Sequence, residues 1–299
     1  MREIRNNNFI RHKTDVENEP RKKYILAFEG EKTEEKYFTE LLNNRRNLGI
    51  NSLIDFVILE RDICEKGVSN PKHLTNLLLN KMKEYNEKKI SDISLISRLV
   101  NIVERNNIPK EKFNRLCKLY RDIMKSNNFN MFNTDSEIKK YLYDILNNDE
   151  ELKKIIDDYI AELLSFNDIN YDLELDKICL IVDRDYESFS EEQFDYVKNA
   201  CEKNKITLCI SNPFFEFWLL LHTENVLSYD KNNLKDKTFI TDKLKEILGK
   251  YSKSNFNAES LIENIHTAIE NEKEFCENIE CLKNEIGSNV GILINDWFK

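Results

Sequence analysis

Three acidic residues follow two predicted strands, and their types and spacing suit the binding of a divalent cation. Glu29 comes directly after the apolar run 22–28, and Asp183 and Asp185 come after the run 177–182. In an extended segment the side chains of Asp183 and Asp185 project to the same side, because successive side chains alternate. Two neighbouring carboxylates repel each other unless a cation lies between them. We therefore predict a site for Mg²⁺ or Mn²⁺ formed by these three residues.

A metal ion held in this way can polarise a phosphoryl oxygen and generate an attacking hydroxide. Glu29 could complete such a site as a ligand or as a general acid/base. An Asp-x-Asp pair alone is common in turns, so it is a weak signal. The placement of Asp183 directly after a buried strand, with Glu29 in the same position on another strand, favours the metal site over the turn.

The surrounding pattern predicts alternating strands and helices. Apolar runs indicate strands at 22–28, 54–59, 177–182 and 206–210. Helical spacing follows them at 33–42, with Thr33 as N-cap, at 71–89, at 191–204, and at 213–222. This alternation predicts an α/β fold with a mostly parallel sheet flanked by helices on both faces. Ligands of such sheets bind outside the carboxyl ends of the strands, where the three acids lie.

Domain organisation follows from changes in composition along the chain. Residues 1–20 are expected to be a basic flexible tail, which could contact a phosphate backbone or be a solvated tail. Residues 21–90 and 170–299 form the two parts of the α/β core, the second with C-terminal helices. The segment 91–169 has helical periodicity and no clear strand, so we predict an inserted helical subdomain.

Bulk composition excludes some classes of protein. The chain of 299 residues is 40% hydrophobic and 33% charged, which is typical of a folded protein with a polar surface. The net charge of −9 argues against binding nucleic acid over the whole surface but leaves room for a local basic groove. No apolar run approaches the ~20 residues that cross a bilayer. The N-terminus lacks a signal-peptide pattern, so we expect a cytoplasmic protein that does not bind a membrane.

The seven cysteines form no CxxC pair, which agrees with a reducing compartment. Cys179 and Cys209 lie in strand-like runs and are expected to pack as small hydrophobic residues. Zinc binding by Cys276 and Cys281 is disfavoured, because no histidine partner is apparent.

Further polar residues near the strand ends have two interpretations each. Glu216 is either an acid that favours the start of its helix or a further metal ligand. Ser211 and Asn212 either cap that helix or hold a phosphate. His222 is a helix-terminal or core histidine unless it contacts substrate. We keep as candidates for binding phosphate Lys32, Arg184, Ser211, Asn212 and His222.

Three ordered motifs resemble those of the RloB-like family, a group related to Toprim proteins. They are Glu29-Gly30-Glu31-Lys32-Thr33-Glu34 with Tyr37-Phe38, then Val182-Asp183-Arg184-Asp185, then the long segment 211–222, which reads SNPFFEFWLLLH. Gly287-Ser288-Asn289-Val290 is similar to a C-terminal segment of the family. The resemblance covers about 21–90 and 170–299, and the 91–169 insertion is longer than expected for the family.

The resemblance implies a Toprim-like catalytic fold with Glu29 as general acid/base. It also implies that Asp183 and Asp185 bind Mg²⁺, and it supports Glu216 as a fourth ligand. RloB-like proteins occur in anti-phage abortive infection loci, often beside an ABC-type ATPase partner. These points concern the family and are expectations for this chain.

Three functional hypotheses follow. The leading one is a metal-dependent nuclease, an endonuclease that hydrolyses phosphodiester bonds of DNA or RNA, tRNA included. The second is a non-catalytic Toprim-fold sensor or effector subunit that works with an ATPase partner. The third is an enzyme of phosphoryl or nucleotidyl transfer on a small nucleotide. A homo-oligomer is compatible with each of them.

Overall fold

The computed structural model describes residues 2–3, 21–30, 32–60, 70–106, 108–126, 128–147, 149–164 and 171–299. The chain divides into two compact units. An α/β unit contains residues 4–59, 69–75 and 171–299, and a helical unit contains residues 1–3, 60–68 and 76–170. The predicted flexible tail, apart from Arg2 and Glu3, and the motif residue Glu31 lie outside the described residues.

The strands and helices have the following bounds. The strands are β1 (Arg2–Glu3), β2 (Lys22–Phe28), β3 (Ile54–Glu60), β4 (Ile90–Ser91), β5 (Met131–Phe132), β6 (Lys177–Asp183), β7 (Ile206–Asn212) and β8 (Gly287–Ser288). The helices are α1 (Thr33–Asn43), α2 (Pro71–Glu87), α3 (Asp92–Arg105), α4 (Lys110–Ser126), α5 (Asp135–Ile145), α6 (Glu150–Asp158), α7 (Ile160–Leu164), α8 (Glu191–Lys203), α9 (Phe215–Leu220), α10 (Lys237–Leu248), α11 (Glu259–Ile262), α12 (Ile265–Glu272), α13 (Ile279–Leu282) and α14 (Val290–Asn295).

The sheet of the α/β unit has the strand order β3-β2-β6-β7-β8. Strands β3, β2, β6 and β7 are parallel, and β8 runs antiparallel to its neighbour β7. The predicted α/β fold class is thus confirmed, and the arrangement is consistent with a Toprim-like core. Because the register pairs Phe28 with Ile181 and Asp183 with Ser211, the carboxyl ends of three strands meet at one edge.

Both faces of this sheet are buried, which explains the continuous apolar runs in its strands. Tyr24, Leu26 and Phe28 of β2 pack on one face, in a cluster that includes α1, α9 and Trp297. The alternate residues Ile25 and Ala27 point to the opposite face and are also buried. Helix α8 contacts β7 and contributes further buried apolar side chains.

Two predicted helix starts in the α/β unit are wrong. Thr33 is the first residue of α1 rather than its N-cap, and the N-cap Lys32 makes no side-chain capping bond. Ser211 and Asn212 do not begin a helix but end β7, because β8 pairs with both of them. A cis peptide bond joins Asn212 to Pro213, and α9 starts only at Phe215. In contrast, α2 begins at Pro71 as predicted.

The helical unit is built around α3, whose apolar side chains are almost fully buried. Ser91 caps this helix by accepting a hydrogen bond from the backbone of Ser94. Thr134 and Glu137 form a capping box at the start of α5. The prediction that 91–169 contains no strand is wrong in one detail, because Ser91 of β4 pairs with Met131 of β5 in a short antiparallel ladder.

Cys179 and Cys209 are buried in the sheet, as predicted for small hydrophobic residues. Burial raises the pKa of the Cys179 thiol to about 12. Cys276 and Cys281 are joined by a disulfide, so neither thiol is available as a zinc ligand. In the described ranges, none of the helices has both the length and the apolar character needed to cross a membrane.

Candidate active site

Two of the three predicted acids, Glu29 and Asp183, meet at the carboxyl edge of the sheet. Glu29 directly follows β2, and its backbone N–H donates to the carbonyl of Ile181 on the neighbouring strand, at 2.9 Å. Its carboxylate accepts a hydrogen bond from the backbone N–H of Asp183, with 3.0 Å between Oε2 and N. The sheet register therefore brings Glu29 and Asp183 together across 154 residues of sequence.

Asp183 is the second acid of this edge, and its pKa is raised. Its Oδ1 accepts a hydrogen bond from the backbone N–H of Phe215 at 2.8 Å, and Oδ2 has no hydrogen-bond donor among the described residues. Burial raises the pKa of Asp183 well above its usual range, and the negative charges of Glu34, Glu29 and Glu216 raise it further. The site therefore concentrates negative charge where water is largely excluded.

Glu34, in the first turn of α1, also belongs to this cluster. Its Oε1 accepts a hydrogen bond from the backbone N–H of Gly30 at 3.1 Å. Burial, followed by the charge of Glu216, raises the pKa of Glu34 to about 7. Gly30 permits this approach, because a Cβ there would lie 1.9 Å from Glu34 Oε2. The five-residue spacing from Glu29 across a glycine turn was the available signal for this contact.

Glu216 enters the same region from the first turn of α9. It is 3% exposed, and its Oε1 accepts a hydrogen bond from the hydroxyl of Tyr251 at 3.1 Å. The ammonium of Lys253 lies 3.8 Å from the same oxygen. Lys253 partly offsets the repulsion, because its charge lowers the pKa of both Asp183 and Glu34. Tyr251 and Lys253 carried no sequence motif, and only the tertiary fold identifies them.

Asp185 has a different environment from Asp183. Strand β6 ends at Asp183, so the extended segment assumed for the pair stops before Asp185. The Asp185 carboxylate instead accepts hydrogen bonds from the backbone N–H of Glu187 and the hydroxyl of Ser188, both at 3.0 Å. These bonds stabilise the turn after the strand. The role of Asp185 as a metal ligand stays a prediction.

The candidates for phosphate binding are mostly occupied by internal contacts. Arg184 is 1% exposed and donates to the carbonyls of Lys283 and Phe189. Ser211 lies beside Ser288, with 3.5 Å between the hydroxyl oxygens. Asn212 donates one bond to the hydroxyl of Tyr186 and another to a backbone carbonyl.

His222 and Lys32 differ sharply in exposure. His222 is buried, and its Nδ1 lies 3.1 Å from the carbonyl of Trp218, so Nδ1 carries the proton. Its Nε2 accepts from the hydroxyl of Tyr37 at 2.9 Å. Burial lowers the pKa of His222 to about 4, so it is neutral at pH 7 and contributes to packing rather than positive charge. Lys32 is exposed at the start of α1.

The donor set of this cluster suits a hard divalent cation. Four carboxylates supply only oxygen ligands, and a cation would relieve the repulsion that raises the pKa of Asp183. Their present spacing does not converge on one point: among the residues that the structure describes, no three Asp, Glu, His or Cys side chains are arranged to hold a metal ion. The types of ligand therefore suit a divalent cation, but the side chains are not arranged around a common centre.

Comparison with known proteins identifies the family of the chain. A family model described as RloB-like protein matches residues 110–296, which is more than half of the chain. No curated protein and no solved structure matches the chain. The match begins at the start of α4. It therefore includes most of the segment 91–169, which lies outside the motifs that resemble the family. The first motif around Glu29 precedes the matched range. The chain belongs to the RloB-like family.

Proposed function

We propose that this protein is a Mg²⁺- or Mn²⁺-dependent nuclease that hydrolyses phosphodiester bonds. The observation that carries the proposal is the group of four acids at the carboxyl edge of a parallel sheet, in which three carboxylates raise the pKa of Asp183. Buried like charges destabilise a fold, so their presence at a strand-end crevice is typical of a functional site rather than a structural one.

The proposed ligands belong to this cluster of acids. Asp183, Glu34 and Glu216 would hold the cation, with Asp185 as a further ligand inferred from the sequence motif. A cation bound there would supply Lewis-acid activation of a phosphate and a water of lowered pKa. Glu29 is proposed as the general acid/base, and its hydrogen bond from the Asp183 backbone fixes its carboxylate at the sheet edge. Lys253 would balance the charge of the cluster and orient Glu216.

Nucleic acid is the proposed substrate, because membership of the RloB-like family and a site for a hard cation both suit phosphodiester chemistry. The same membership supports a role in anti-phage defence, with an ABC-type ATPase as partner.

The test uses purified protein with labelled single- and double-stranded DNA and RNA, each with Mg²⁺, with Mn²⁺ and with a chelator. We expect cleavage that requires the metal and that Asp183→Asn abolishes. Asp242→Asn is a matched control, since Asp242 lies on α10 and is 61% exposed. Cleavage by Asp183→Asn at the wild-type rate would refute the proposal. Absence of cleavage by the wild type, together with a stable complex with an ATPase, would favour a sensor subunit instead.

A further inference from the structure

An exposed tyrosine follows β6 at the same edge of the sheet as the acidic cluster, and its ring is held in place by buried polar groups. Tyr186 directly follows Asp185, and 51% of it is exposed. The guanidinium of Arg184 lies 4.3 Å from the centre of its ring. The side-chain amide of Asn212 donates to its hydroxyl at 2.8 Å. The ring is therefore fixed at two points while half of its surface faces solvent.

The groups that fix this ring are themselves rigid. Arg184 is 1% exposed, and carbonyls of two other segments accept hydrogen bonds from its guanidinium. Asn212 is 2% exposed and also donates to the carbonyl of Leu282 at 2.9 Å. A side chain that is already ordered loses little conformational entropy when a ligand packs on it, which favours binding.

The position of the ring relates it to the proposed reaction. Asn212 follows Ser211, and Ser211 is the register partner of Asp183 across β6 and β7. Neighbouring strands lie about 5 Å apart, so the Tyr186 hydroxyl is within roughly 10 Å of the Asp183 backbone. A group that binds the acidic cluster through phosphate would bring its adjacent planar group near this ring.

We propose that Tyr186 is a stacking platform for a nucleobase next to the phosphate held at the acidic cluster. Aromatic side chains bind bases of single strands by stacking, and the interaction tolerates many sequences because every base has a flat face. The inference rests on the proposed function for its ligand class. It adds a specificity-determining residue and a preference for unpaired over paired nucleotides, since a base in a duplex is already stacked on its neighbours.

The test measures binding of fluorescein-labelled DNA and RNA single strands of about 12 nucleotides, a length within the range of single-strand sites. All proteins carry Glu29→Gln, so that bound strands persist in Mg²⁺. We expect Tyr186→Ala to weaken binding roughly 5- to 150-fold, the equivalent of one stacked base. Tyr186→Phe keeps the ring and should stay within about twofold, whereas Tyr186→Leu should resemble alanine. Tyr196→Ala, which removes another exposed ring, is the matched control.

A scan with a single abasic site separates stacking from a structural effect. A set of strands carries the abasic site at successive positions. For the protein with Tyr186, the abasic site should weaken binding at one of these positions. For the Tyr186→Ala protein, it should weaken binding at none of them. Equal affinities of both proteins for every strand, or no binding by either, would overturn the inference. If no strand is cleaved in Mg²⁺ or Mn²⁺ by protein with Glu29 intact, and the abasic effect still depends on Tyr186, the stacking role stands while the nuclease proposal fails. If strands are cleaved and Tyr186→Ala changes neither the KM nor the affinity, the nuclease proposal stands while the stacking role fails.

Discussion

Glu272→Gln should change how the stability of the α/β unit depends on pH. Glu272 is fully buried at the end of α12, and its carboxylate accepts hydrogen bonds from the backbone of Gly291 at 2.9 Å and of Ile292 at 3.1 Å. It thus closes the start of α14, where a negative charge gains about 1 kcal/mol from the helix dipole. Burial of an ionised carboxylate costs several kcal/mol, so burial prevails and raises the pKa of Glu272 to about 8.

The direction of the effect follows from the two states of the chain. The folded protein keeps Glu272 protonated up to about pH 8, whereas the unfolded chain ionises it near its ordinary pKa of 4.5. Its contribution to stability is therefore complete below pH 4.5 and is lost as the pH rises through 8. Each pH unit in this window corresponds to about 1.4 kcal/mol, so the loss between pH 5 and pH 8 is at most about 4 kcal/mol.

Glutamine cannot ionise, but its single carbonyl oxygen can accept from only one of the two backbone N–H groups, and its NH₂ group faces the other. We expect Glu272→Gln to be about 1–3 kcal/mol less stable than the wild type at pH 5, because one buried N–H loses its acceptor. Between pH 5 and pH 8 the difference should shift in favour of the variant by roughly 2–4 kcal/mol. Urea unfolding at both pH values measures the difference. Glu270→Gln is the matched control, because Glu270 lies on the same helix and its side chain is 70% exposed. A difference between Glu272→Gln and the wild type that stays constant from pH 5 to pH 9 would refute the argument.

Other substitutions probe the site and its supports. Gly30→Ala would place its Cβ 1.9 Å from the Glu34 carboxylate, so it should reduce the Mg²⁺-induced rise in melting temperature while changing metal-free stability by less than about 1 kcal/mol. An unchanged response to Mg²⁺ would contradict the contact. The Cβ of Gly291→Ala would lie 2.3 Å from Glu272 Oε2, so this substitution should lower the free energy of unfolding by about 2 kcal/mol or more. Gly249→Ala, at an open position with φ of 69°, should lower it by about 1 kcal/mol. Urea unfolding measures both values. Asp183→Asn should raise the melting temperature without metal, since it removes a carboxyl group whose ionisation is opposed by burial and by three neighbouring acids, and it should abolish the response to Mg²⁺. A lower melting temperature than that of the wild type would contradict the repulsion.

The sequence predicted the sheet well because its strands are buried on both faces and read as continuous apolar runs. It could not predict the end of β7, because the partner of Ser211 and Asn212 is a two-residue strand 75 residues or more further along the chain. The same limit applies to the site. Glu29 and Asp183 were identifiable because each directly follows a strand, and parallel pairing brings such residues together.

Glu34, Tyr251 and Lys253 were not identifiable in that way. Their approach depends on a glycine turn and on a segment after α10, and neither leaves a periodic pattern. Asp185 shows another limit of the sequence pattern, because the Asp-x-Asp spacing implies a shared direction only while the backbone stays extended, and β6 ends at Asp183. Its carboxylate bonds to the turn that follows, so local hydrogen bonding decided the geometry.

Hydrogen bonds account for the present arrangement of the carboxylates in the acidic cluster. Each described acid uses at least one oxygen to accept a hydrogen bond: Glu29 from Asp183, Asp183 from Phe215, Glu34 from Gly30, and Glu216 from Tyr251. These bonds offset part of the desolvation of the carboxylates and hold like charges apart. A bound cation would remove the repulsion, and the same side chains could then turn their second oxygens toward a common centre. On this argument the stabilisation of the wild type by Mg²⁺ should grow as the pH rises, because the raised pKa values of Asp183 and Glu34 let these acids keep protons that the cation must displace.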